Sequence, residues 1–148
     1  MKHFATRAFA AVVLSNLALV VPLNVQAEPS CSHASLSGGF GYTNNGTILG
    51  GPDDGPFGGV GRQTFDGKGN TEATAAVSVN GNIAHATING TYAVNSNCTG
   101  SMTLVGSAGS QTFTNHVEFV IVHRGTEFRA INTDPGSVIT TVGKKQSE

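Results

Sequence analysis

The chain predicts an all-β fold, about eight short antiparallel strands closed into an up-and-down barrel, with a β-sandwich as the alternative. Three observations carry this. From residue 33 onward apolar and polar residues alternate with period 2, and no stretch repeats at helical spacing. Clusters of Gly, Asn, Asp and Pro recur at hairpin intervals. Only 11% of the 148 residues are charged and 20 are Gly, a composition that rules out a coiled coil and speaks against a helical bundle.

The elements follow in order. Leu36, Phe40 and Tyr42 alternate along a first strand, which Asn44-Asn45-Gly46 is expected to close. A loop from Gly50 to Pro56 leads to a second strand at about Phe57 to Phe65. Asp66-Gly67-Lys68-Gly69-Asn70 turns the chain into a third strand with Ala73, Ala75, Val77 and Val79 on one face. Asn80-Gly81 is a strong hairpin signal, because a type I′ turn needs positive φ at both central positions. The fourth strand, Ile83 to Val94, sets Ala84, Ala86, Ile88, Tyr92 and Val94 against a polar face of His85, Thr87, Asn89 and Thr91. A fifth centres on Met102 and Leu104, and a sixth spans Gln111 to His123, with Phe113, Val117, Phe119 and Ile121 on its more apolar face. The seventh, Glu127 to Thr133, and the eighth, Ser137 to Val142, are joined by Asp134-Pro135-Gly136. A tail from Lys144 to Glu148 is expected to be loose. Closure removes the sheet edges that invite aggregation, and glycines within the strands suit the bends of a small barrel.

The first 27 residues read as an address. Lys2 and Arg7 precede an apolar run, Ala8 to Val25, which ends in the small-residue pattern Val25-Gln26-Ala27. Ser15, Asn16, Pro22 and Asn24 interrupt the run, so a cleaved secretory signal at 1–27 is expected and not a membrane span. Residues 28–148 then form a single domain with a net charge near −3, periplasmic or secreted, without a membrane span once the signal is removed. The lack of any Lys or Arg block gives no footprint for nucleic acid.

Export makes the cysteines legible. Cys31 and Cys98 are the only two, so a disulfide between them is expected, worth about 4 kcal/mol in the chain-entropy picture. The spacing is wrong for a redox C-x-x-C pair.

Thr64-Phe65-Asp66-Gly67-Lys68-Gly69-Asn70, Val79-Asn80-Gly81, Gly90-Thr91-Tyr92-Ala93-Val94, Cys98-Thr99-Gly100 and Phe119-Val120-Ile121-Val122, followed by Thr133-Asp134-Pro135-Gly136, are strings of turns and strand cores. Together they resemble a group of small secreted bacterial proteins without assigned function, calycin-like or similar to the allene oxide cyclase barrel. The resemblance implies an eight-stranded barrel with an apolar cavity. It implies no activity, because the matching strings hold no catalytic residues.

Candidate chemistry is sparse. Asp66 to Asn70 begins like a calcium loop, but Lys68 occupies the third ligand position and Val77 the place of the bidentate Glu, so a turn is the better reading and no metal or cofactor is expected. His116 and Glu118 share one strand face and form the best acid/base pair, provided that face lines the lumen. Arg129 on the next strand is placed to meet Glu118 or Glu127. Arg62, the only charge in a Gly-rich strand, is a candidate to hold a ligand carboxylate if it points inward. Two functions are therefore expected. The first is a non-enzymatic exported barrel that binds a small apolar molecule or serves as an envelope or secreted component. The second is a barrel isomerase or cyclase that confines its substrate, with His116, Glu118 and Arg129 as its polar contacts.

Overall fold

A computed structural model describes residues 30–147, and the leader read at 1–27 lies outside them. Eight antiparallel strands close into a barrel in sequence order: β1 (Ser37–Ile48), β2 (Gly55–Asp66), β3 (Asn70–Val79), β4 (Asn82–Val94), β5 (Thr99–Ala108), β6 (Gln111–Val122), β7 (Glu127–Asn132) and β8 (Ser137–Lys145). The last strand pairs with the first, from Phe40 opposite Lys145 to Ile48 opposite Ser137, so no edge is left open. This is the barrel and not the sandwich.

Two expectations are corrected. Asn44-Asn45-Gly46 does not end β1, because these residues pair with β2 and β8 on both sides and the strand runs on to Ile48. Lys144 and Lys145 are not tail but the last rungs of β8, held by partners on β1 and β7. Ladder hydrogen bonds on both flanks outweigh the weak strand propensity of Asn and Gly. Asn80 (φ 47°) and Gly81 (φ 86°) do adopt the left-handed pair that the hairpin requires.

The inward faces are Phe40 and Tyr42 of β1, Gln63 and Phe65 of β2, the even-numbered residues from Ala84 of β4, and Phe113, Val117, Phe119 and Ile121 of β6. One end of the lumen is dry. Leu36, Phe40, Phe65 and Phe128 are wholly buried there, each worth about 1.5–3 kcal/mol relative to an exposed position. Their rings meet edge to face: Phe65 lies 5.4 Å from Phe40, 5.1 Å from Tyr92 and 5.6 Å from Phe128 between centroids.

A short 3-10 turn, His33–Ser35, caps that end. The Tyr92 hydroxyl fixes the cap by donating to the Leu36 carbonyl (2.9 Å) or the His33 carbonyl (3.1 Å). The Cys31–Cys98 disulfide, with Cα atoms 5.0 Å apart, ties the segment to the β4–β5 turn. The opposite end is lined by smaller side chains, among them Ala73, Ala75 and Ala86 around Tyr42, with Val77, Ile88, Ala108 and Phe113 packed against them.

Large inward residues sit directly across the ladder from glycine. Tyr42 faces Gly61, Leu104 faces Gly90, Phe119 faces Gly100, Phe113 faces Gly106 and Phe128 faces Gly143. In each pair the large side chain occupies the space where a glycine Cβ would stand; at Gly61, Gly90 and Gly106 it comes within 2.7 Å of that position. The large side chains lean over the glycine of the neighbouring strand, a use of glycine known from designed sheets.

Candidate functional site

His116 and Glu118 point away from the lumen. β6 turns Phe113, Asn115, Val117, Phe119 and Ile121 inward, which sends the alternate residues outward, and the His116 side chain is 58% exposed. The premise that this face lines the lumen does not hold. Amphipathic alternation decides the matter: the more apolar set takes the interior.

Nor do the two residues form a pair. His116 is engaged by Asp134, which lies in the β7–β8 loop. Nδ1 of His116 is 2.8 Å from Asp134 Oδ1, and the His116 backbone N–H donates to Oδ2 at 2.7 Å. The Thr133 backbone N–H and hydroxyl both donate to the His116 carbonyl, at 2.9 and 3.1 Å. These bonds to His116 hold the Asp134 carboxyl below the usual carboxylate range. The cluster straps a loop to the wall of the barrel and forms no pocket. Sequence reasoning missed Asp134, although the signal was there: counting antiparallel rungs outward from the β6–β7 turn brings residue 133 opposite residue 116.

Arg129 meets Glu127 and not Glu118, whose cross-strand partner is Ile131. Its Nε donates to Glu127 Oε1 at 3.0 Å, while Lys144 Nζ and His123 Nε2 each lie 3.9 Å from Glu127 Oε2. The Arg129 hydrogen bond, followed by the surrounding positive charges, holds the Glu127 carboxyl low. Arg62 does not enter the lumen either. It is exposed on the outer face of β2 and folds over Gly39; Nε donates to Gln146 Oε1 (2.9 Å) and Nη1 to Thr64 Oγ1 (3.1 Å).

Two open concavities do exist, both on the outer wall of β2–β4. One, of about 390 Å³, is lined by Arg62, Thr74, His85 and Thr87 among others. The second, of about 380 Å³, is lined by Asp66, Asn70, Glu72 and Asn89 among others. Asp66 is already committed to its own turn. It accepts from the Lys68 and Asn70 backbone N–H groups (2.7 and 2.9 Å) and from Asn70 Nδ2 (2.6 Å), which lowers its carboxyl to about 2. A carboxylate so occupied is a poor base and a poor ligand. Among the described residues no group of three His, Cys, Asp or Glu could hold a metal ion.

Comparison with protein families, curated proteins and solved structures finds no match to this chain. Its function must be read from its own residues.

Inside the lumen one polar atom stands out. Asn44 Oδ1 is buried without a hydrogen-bond partner among the described residues. Its inward neighbour two positions earlier, Tyr42, is 6% exposed, and burial pushes its hydroxyl pKa up. A buried acceptor left unpaired costs about 1–3 kcal/mol, so water or a ligand donor is expected to meet it.

Proposed function

We propose that the protein is a non-enzymatic, exported barrel that works through its outer surface, as a component of the cell envelope or its surroundings. The packing of the interior carries this reading: its aromatic end is wholly buried, and large half-buried side chains line the rest. Five large side chains are seated on cross-strand glycines, and the aromatic end is closed by Leu36 and the 3-10 cap. A confinement enzyme needs an interior in which to confine. The residues suited to acid/base work, His116 and Glu118, stand on the outside, where water is abundant and no cleft orients a substrate. Export is supported by the leader read at 1–27 and by the disulfide, which persists in oxidising compartments.

A second reading keeps the small apolar ligand and moves it to the open end of the barrel. Asn44 Oδ1 favours it, together with the half-buried Phe57, Phe113 and Ile139 on the inward faces there. Native mass spectrometry of protein purified from its own host separates the two. The surface reading expects the mass of the disulfide-bonded chain alone. A co-purified molecule at one per chain, lost in Asn44→Leu, would overturn it in favour of the ligand carrier.

A further inference from the structure

The two sides of the barrel wall differ in chemistry. The outward faces of β3–β6 are rich in Thr, Ser and Asn, and these four strands contain no Lys or Arg. Of the six Lys and Arg residues in 30–147, five lie on β1's neighbours β2 and β8, on β7, or in the turn before it: Arg62, Arg124, Arg129, Lys144 and Lys145.

The ladder registers set three of these cations, Arg62, Arg129 and Lys144, beside exposed apolar residues on the outer face, while Lys145, opposite the inward Phe40, and Arg124, in the β6–β7 turn, stand at the end of the wall. One lateral row reads Val120, Arg129, Val142, Thr43, Val60 across β6, β7, β8, β1 and β2; the row beneath it reads Glu127, Lys144, Gly41, Arg62 across β7, β8, β1 and β2. Val60 is 58% exposed, Val142 40% and, one rung further on β7, Ile131 45%. Glu127 is the only carboxylate in these two rows, and it is buried beneath Arg129 and Lys144. Arg62, Arg124 and Lys145 have no ion-pair partner among the described residues.

We infer that the β7–β8–β1–β2 wall docks on an anionic phospholipid bilayer. This names the partner of the outer surface and rests on the surface reading above. Charge complementarity supplies the argument. A cluster of cations is drawn to acidic headgroups, and the interspersed valines and isoleucine give the apolar contact that an interfacial protein buries at the headgroup boundary. Gly41 stands between Arg62 and Lys144 on the outer face, where the Gln146 side chain lies over it and accepts from Arg62 Nε, leaving the Arg62 Nη groups to meet a headgroup phosphate. A soluble polyanion would use the cations and leave Val60, Val142 and Ile131 in water.

The test is sedimentation of the full, oxidised protein with vesicles of phosphatidylglycerol and phosphatidylcholine, against phosphatidylcholine alone. Binding is expected only with phosphatidylglycerol and should weaken as salt is raised. The variant Arg62→Gln removes an outer-face cation that touches no carboxylate and should lower partitioning by about five-fold. Val60→Thr/Val142→Thr, nearly isosteric and unchanged in charge, should lower it several-fold, whereas Val105→Thr on the opposite wall should not.

No phosphatidylglycerol-dependent sedimentation at low salt would overturn the proposal. So would full binding by Val60→Thr/Val142→Thr, which would mark a polyanion site. Either failure leaves the mass-spectrometric test of the interior untouched, and a co-purified ligand would leave the docking result standing. Circular dichroism melts of each variant show whether the barrel is intact.

Discussion

Gly143 shows what one missing methyl group does. Its Cβ position is filled by the Phe128 ring, so Gly143→Ala must displace a wholly buried aromatic side chain. We expect it to destabilise the barrel by about 1–3 kcal/mol in urea unfolding, the usual cost of overpacking. Phe128→Ala alone should cost about 3–5 kcal/mol. In that background the added methyl group should cost far less, since its competitor is gone. Gly81 provides the contrast: nothing lies within 4 Å of its Cβ position, and only its φ of 86° opposes a side chain.

Asp66 acts at the same scale through its charge. Its carboxyl is depressed to about 2 by the Asn70 side chain, the Asn70 N–H and the Lys68 N–H, in that order. A group whose folded pKa is depressed contributes stability above its unfolded pKa and loses it as pH falls through the folded value. The wild-type melting temperature should therefore fall between about pH 4 and pH 2 by more than that of Asp66→Asn. Parallel melting curves for the two proteins across that window would show that the turn does not depend on the carboxylate.

Among the elements, the cap is where the covalent and packing contributions meet. Reduction of Cys31–Cys98, or Cys31→Ser/Cys98→Ser, should remove about 4 kcal/mol of stability by chemical denaturation. Tyr92→Phe should remove about 1 kcal/mol more locally, because the hydroxyl's bonds to Leu36 and His33 are lost while the ring remains. Hydrogen exchange of the 33–36 amides is the direct readout.

Much of this was legible from the chain. Alternation along β4 and β6, the Asn80-Gly81 turn and the lone cysteine pair lead to the observed strands and bridge, because each depends on local period or on elimination. The course of β1 through Asn44-Asn45-Gly46 was not legible, since pairing from both sides is a tertiary effect that overrides turn chemistry. The candidate site failed for a different reason. Period 2 gives two faces to β6, and the more apolar one, with Phe113, Val117, Phe119 and Ile121, is the inner one, so the His116 and Glu118 face failed on a signal that the alternation already carried. Rung counting from the β6–β7 turn brings residue 133 opposite residue 116, but that Asp134 in the loop beyond turns back onto His116 is a tertiary contact that the count does not give.

For the whole molecule, β8 is the closing element, paired with both β1 and β7. A chain ending after Thr133 would leave β1 and β7 as open edges with unpaired backbone groups. It should sediment as aggregate where the full chain is clear, and light scattering at matched concentration decides this.

The cross-strand pairing of glycine with a large residue also bears on how the chain finds this state. A strand that slips by one residue turns its apolar face outward, which burial alone penalises. A slip by two keeps the face inward, so alternation cannot detect it. Here such a slip would take Phe113 off Gly106 onto Leu104 or Ala108, or Phe128 off Gly143 onto Thr141 or Lys145, and press the ring against a residue that has a Cβ. The glycines therefore act as a vernier on the ladder, rejecting misregistered hairpins that polarity would accept, so that the closing β1–β8 seam meets in a single alignment.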